Sequence, residues 1–167
     1  MDIRKMLACG QSKANTTAIV EYIGSDPDRF AELMKIFLAG EYRPTQRAAW
    51  PISVCAENNP QLIEPYLGKL IDLLPRNEIH NAVKRNILRL LQYVEIPIRF
   101  RGKVFSYCID LIADPKEAIA VRSFALTVAG NAANGNTDLL KELRLAAEIH
   151  LKDATAAFRV RYRRLFN

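Results

Sequence analysis

Residues 71–85 read IDLLPRNEIHNAVKR, and residues 109–123 read IDLIADPKEAIAVRS. At this offset of 38 positions Ile71/Ile109, Asp72/Asp110, Leu73/Leu111, Ala82/Ala120 and Val83/Val121 are identical, while Leu74/Ile112 and Lys84/Arg122 are conservative pairs. Each copy spells the apolar end of one helix, a turn, and the start of a second helix that carries a cation. A hairpin of two helices this short cannot bury its own apolar face. The same unit written twice therefore implies hairpins stacked around a shared core.

The pattern continues outward in weaker form. Gln46, 38 positions before Lys84, opens QRAAWPI, and Arg159, 37 positions after Arg122, lies in AAFRVRY. Degenerate outer copies are usual for end units. In PDRFAELMKIFLAG the residues Phe30, Leu33, Met34, Phe37 and Leu38 recur at three- and four-residue steps, the spacing of one helix face. Gly40 with Pro44, then Pro60, Pro75, Pro97, Asp114–Pro115 and the NAANGN stretch break the chain between helices. No alternating strand pattern competes. Two helices are expected first, in DIRKMLA and in NTTAIVEYIG, the latter capped by Asn15 or Thr16 and stopped by Gly24. The expected organisation is one domain: N-terminal helices in residues 1–26, then hairpins in 27–59, 60–97, 98–134 and 135–167.

Composition agrees. Half of the 167 residues are apolar, but only seven are Gly and eight Pro, which favours helices over a turn-rich sheet. The net charge is +6, and four arginines (Arg159, Arg161, Arg163, Arg164) crowd the last nine residues, so the body is only slightly basic. A nucleic-acid partner is allowed and not demanded. Cys9, Cys55 and Cys108 are few, scattered and odd in number, as buried reduced thiols are, so a reducing cytoplasm is expected. MLACG is not read as a lipoprotein signal, because charged MDIRKMLA precedes the cysteine instead of an apolar run. No segment has the ~18 apolar residues of a membrane span, so no membrane partner is expected.

ADPKEAIAVRSFAL resembles the inner turn and second helix of a HEAT repeat, with Asp114–Pro115 at the turn, the Val121–Arg122 pair, and Ala125 and Leu126 on the packing face. PQLIEPYLGKLIDLL is similar to the first helix of such a unit, Pro65 standing where that helix is often kinked. The likeness covers residues 27–167. It implies an all-α fold, a right-handed α-α superhelix of about four hairpins plus the N-terminal helices, in the manner of a short HEAT-like solenoid. Asn77 stands near the place of the turn Asp in the second unit, and the first unit lacks a Val-Arg pair.

Arg122 is the only charge from Ala118 to Ala133. A helix so apolar is normally buried, and a buried arginine needs a partner. The resemblance implies an ion-pair ladder with Asp114 or Asp110, flanked by Lys84; the functional alternative is a ligand-gripping arginine. Arg85 and Arg89, with Gln92, sit opposite the face of Val83, Ile87, Leu90 and Val94, and Arg47 lies at the position of Arg85 one unit earlier. Arg47, Arg85, Arg89 and Arg122 are thus a candidate binding strip, with a solvated helix face as the plainer reading.

Arg99, Arg101 and Lys103 crowd a helix start, where the macrodipole disfavours cations, and form a candidate anion site. FRVRYRRLFN reads as an end-capping helix, and Trp50 beside Pro51 as a kinked core aromatic. His80 and His150 have no partners at ligand spacing, so neither metal nor cofactor is expected. No phosphate loop, nucleophile elbow or paired-carboxylate pattern occurs. The expected function is a non-enzymatic scaffold for a protein or peptide. The alternative is a nucleic-acid binder of the HEAT-like DNA-alkylation-repair type.

Overall fold

The computed structural model describes residues 2–76 and 78–167, whose regular elements are all helices, with no strand among them. The chain divides into two compact units, Met1–Val94 and Glu95–Asn167.

The first unit holds α1 (Ile3–Ala8), α2 (Lys13–Ile23), α3 (Pro27–Leu38), α4 (Tyr42–Asn58), α5 (Leu67–Ile71) and α6 (Asn81–Leu91). Side chains cap most of their starts. Asp2 accepts from the Lys5 N–H, and Asp26 accepts from Asp28 and Arg29 with Pro27 in the first turn, where its missing N–H costs nothing. The cap of α2 is Ser12, earlier than Asn15 or Thr16. Asn15 is otherwise engaged: its amide donates to the carbonyls of Met6 and Gly10, both at 2.8 Å, and ties α1 to α2. For α6 the cap is His80, whose Nδ1 accepts from the Ala82 N–H at 3.0 Å.

The helix expected from Pro60 onward is broken instead. Two 3₁₀ turns, Pro60–Leu62 and Glu64–Tyr66, precede the five-residue α5. Pro65 has no N–H to donate, its ring crowds the Gln61 carbonyl, and it disfavours the α conformation at Glu64. By contrast α4 runs through Pro51 and starts at Tyr42, with Pro44 tolerated in its first turn.

Packing follows hairpin logic. First helix meets first helix, α1 on α3, and second meets second, with α2 and α6 both lying against α4. Phe30, Leu33, Met34, Phe37, Ile52 and Leu70 fill the core. Burying each such side chain contributes about 1.5–3 kcal/mol, against the entropy of ordering the chain.

The second unit holds α7 (Ile98–Ala113), α8 (Ile119–Ala133), α9 (Thr137–Glu148) and α10 (Ala156–Phe166). Again α7 packs on α9 and α8 on α10, while α7 and α8 form the tightest hairpin. Helix α8 is central, with Val121, Ala125, Leu126, Val128 and Ala129 fully buried. Its small residues allow close approach: a Cβ on Gly130 would lie 2.5 Å from Leu165 Cδ2 of α10. Asn134 and Gly135 end the helix in left-handed conformations, φ 47° and 78°, that Asn and Gly tolerate best. The repetition survives in the fold. Helices α6 and α8 begin at Asn81 and Ile119, the same 38-residue step, and Leu74/Ile112 and Val83/Val121 are all buried.

Candidate functional site

The side-by-side placement of α2, α4 and α6 produces a groove of about 430 Å³ in the first unit. Lys13, Thr16, Thr17, Val20 and Glu21 line it from α2, and Trp50, Val54 and Asn58 from α4, with Arg89 of α6 at its side. Residues four apart share a helix face, so Trp50, Val54 and Asn58 form one stripe along α4. Pro51, Ile52, Ser53 and Cys55 turn the other way into the core. Trp50 is half-buried, presenting part of its ring to the groove. Its carbonyl accepts a hydrogen bond from Ser53 Oγ at 2.8 Å.

The expected basic strip is divided among unlike tasks. Arg47 donates from Nη1 to the carbonyls of Leu7 and Ala8, at 3.0 and 3.1 Å. It thereby closes the C-terminal end of α1, where carbonyls lack partners and the dipole favours a cation. Arg89 pairs with Glu57 of α4 at 3.2 Å. Arg85, on α6, is exposed. The groove lining therefore mixes signs, with Lys13 and Arg89 against Glu21, and Arg89 is further neutralised by its pair with Glu57.

Arg122 belongs to the second unit. Asp114 is not its partner; Asp114 Oδ1 accepts the Lys116 N–H at 2.8 Å and shapes the turn before α8. The Nε of Arg122 is buried with no hydrogen bond among the described residues. The ladder implied by resemblance is not formed there.

Arg99, Arg101 and Lys103 each make local contacts. Arg101 donates from Nε to the Ile96 carbonyl at 3.0 Å and faces Glu95 at 3.5 Å. Arg99 lies over the Phe100 ring at 4.8 Å, and Lys103 lies 5.8 Å from the centre of Tyr107. The conflict with the α7 dipole is relieved locally, by a carbonyl, a carboxylate and two aromatic faces.

Cys55 and Cys108 are buried free thiols as expected, but Cys9 is exposed. Burial pushes the Cys55 thiol up to about 12 and Cys108 higher still, because the thiolate loses its hydration. A thiol so disfavoured as thiolate is a poor nucleophile. Among the described residues no group of three His, Cys, Asp or Glu side chains is placed to hold a metal. No helix among them is long and apolar enough to cross a membrane.

Stacked hairpins with first helices on one layer and second helices on another are the geometry of a helical repeat, and the sequence matches the model of the HEAT repeat domain over residues 3–167. The chain belongs to the HEAT repeat domain family. No curated protein and no solved structure matches it. In HEAT terms α2, α4 and α6 are second helices of successive hairpins, which is why their outward stripes meet in one groove. Glu21, Thr17, Glu57 and Asn58 were not singled out in the sequence. The i, i+4 spacing of Trp50, Val54 and Asn58 was the visible signal, yet it acquires meaning only once α2 is known to lie alongside.

Proposed function

We propose that the protein is a non-enzymatic HEAT scaffold that binds an extended protein segment in the α2–α4–α6 groove. The observation that carries this reading is Trp50: a large, half-buried aromatic in a groove that also offers hydroxyls, an amide and charges of both signs. Trp and Arg anchors surrounded by polar rims are the usual energetic centres of protein interfaces. The mixed charge favours a peptide with its own mixed polar groups over a uniform polyanion. Free cysteines support a reducing, cytoplasmic setting.

Trp50 is the only tryptophan in the chain, so its fluorescence reports on this groove alone. Peptides selected from a random display library should shift that emission on titration and lose about tenfold or more in affinity against Trp50→Ala, a hot-spot-sized effect. Selected peptides that bind Trp50→Ala as tightly as the parent would refute the assignment.

A second reading is a nucleic-acid binder of the DNA-alkylation-repair type. The half-exposed Trp50, able to stack on a base, and the exposed Arg85 favour it. Its test is the salt dependence of duplex binding.

A further inference from the structure

The second unit contains a cleft of about 170 Å³ that shares no lining residue with the α2–α4–α6 groove. It is lined by Pro115, Ile119 and Arg122 at the start of α8, and by His150, Asp153, Thr155 and Phe158 around the start of α10. We infer that this cleft is a binding site for a carboxylate attached to an apolar group, gripped by the guanidinium of Arg122. The inference stands independently of the peptide groove.

Arg122 is the first argument. A guanidinium has five N–H donors in a fixed fork and no capacity to accept. Here Nε is buried and makes no hydrogen bond among the described residues, although acidic side chains are close in sequence. A buried donor left unsatisfied is costly, so the half-buried guanidinium whose Nε goes unpaired would gain from an acceptor. Planar carboxylates match the fork of the guanidinium bidentately.

The surroundings supply the second argument. Arg122 lies one turn into α8, whose cap residue Ala118 offers no side-chain acceptor to the first N–H groups. The positive end of that helix and the cation reinforce one another, and an anion answers both. His150 is held by donation from Nε2 to the Ala113 carbonyl at 3.0 Å, which leaves Nδ1 as an acceptor in the neutral ring. Thr155 is committed as the cap of α10, its hydroxyl accepting from the Phe158 N–H at 3.4 Å. Neither side chain is hydrogen-bonded to Arg122.

Charge and shape narrow the ligand. Asp153 lines the same cleft, so the site offers one arginine against one carboxylate and lacks the excess of cations needed to neutralise a phosphate dianion, whereas a carboxylate monoanion is matched by Arg122 alone. Ile119, 51 % exposed, and Phe158 form apolar walls that suit the branched or aromatic carbon beside a carboxylate. Free carboxylic acids and the C-terminal residue of a peptide share this chemistry.

Two-dimensional ¹⁵N–¹H spectra can follow the Nε–H of Arg122 directly in the full chain. The probes are isobutyrate, N-acetyl-leucyl-leucine, its C-terminal amide, and inorganic phosphate. Saturable movement of the Arg122 Nε–H with isobutyrate and the dipeptide acid, and none with the amide, is expected. Response to both acids indicates the general carboxylate site, and response to the dipeptide acid alone indicates peptide termini.

Arg122→Gln should abolish binding. Asp153→Asn, an exposed change that leaves the core untouched, should tighten it by about threefold to tenfold as one repulsive charge disappears. Failure of both acids to move the resonance, equal response to phosphate or to the amide, or unchanged affinity in Asp153→Asn would overturn the proposal.

Discussion

Arg89 of α6 and Glu57 of α4 form an ion pair of 3.2 Å at the edge of the groove, each about one-third exposed. This contact takes one of the three first-unit arginines out of the expected basic strip, and the α1 carbonyls take another. What remains is a groove of balanced charge beside the exposed Arg85.

Duplex binding should therefore depend only weakly on salt. Few phosphates would be contacted, and the log–log slope scales with their number. Glu57→Gln frees Arg89 and should steepen the slope by about one, while stability changes by no more than about 1 kcal/mol, as for other exposed pairs. Fluorescence anisotropy of a labelled duplex over a salt series measures both slopes. A steep slope in the parent protein would favour the nucleic-acid reading over the peptide one.

Arg47 should behave as a structural residue. Its guanidinium closes α1 across a separation of about 40 residues, so Arg47→Met should cost about 1–3 kcal/mol, the range for hydrogen bonds to charged groups. Denaturant titration gives the loss, and hydrogen exchange should show it concentrated in α1. An unchanged midpoint would mean that the α1 end is held by something else.

Thiol chemistry should separate the three cysteines. In the native protein Cys9 alone should react quickly with a thiol reagent, and all three should react after unfolding. The folded-state pKa of Cys55 and Cys108 is raised by burial, so their contribution to stability is complete below the unfolded-thiol pKa. It declines as pH rises from there toward about 12 at Cys55. Alkaline unfolding should therefore be eased in the parent relative to a Cys55→Ala, Cys108→Ala double variant, as read from melting curves above pH ~9.

At the opposite end of the pH range Glu148 matters. The Tyr162 hydroxyl donates to Glu148 Oε1 at 2.6 Å and Arg144 Nε donates to the same oxygen at 3.0 Å. Together they hold the carboxyl below its ordinary value. A depressed carboxyl contributes stability above the unfolded pKa and loses it as pH falls through the folded one. Tyr162→Phe should lower stability at neutral pH and flatten the decline on acidification, seen by comparing melting temperatures at pH ~7 and pH ~3. Parallel curves for both proteins would show that the Tyr162 bond contributes nothing to this linkage.

The hairpin plan was legible because burial enforces it. Val83 and Val121, or Leu74 and Ile112, stand at one offset since each must face the interior of its own unit, and a periodic apolar face is a local property. The break before α5 was half legible: Pro65 announced a kink, but the depth of the disruption depends on how the neighbours accept two 3₁₀ turns. Side-chain partners were not legible. Arg89 finds Glu57 32 residues back and Arg47 finds the Leu7 carbonyl 40 back, through packing that no local window contains. Arg122 gave the reverse error, since the turn aspartate expected to meet it is spent on the Lys116 N–H. Cys9 misled for a simpler reason: apolar neighbours in sequence do not bury a residue at a helix end.

The dependence of each hairpin on its neighbours is tested most directly by cutting one out. The α7–α8 hairpin, residues 98–133, buries α8 against α10 and α7 against α9 in the intact unit. Circular dichroism of that peptide should show weak helicity and a gradual, non-cooperative thermal loss, while residues 95–167 melt cooperatively. A sharp, reversible melting transition in the 98–133 peptide alone would contradict the shared-core account.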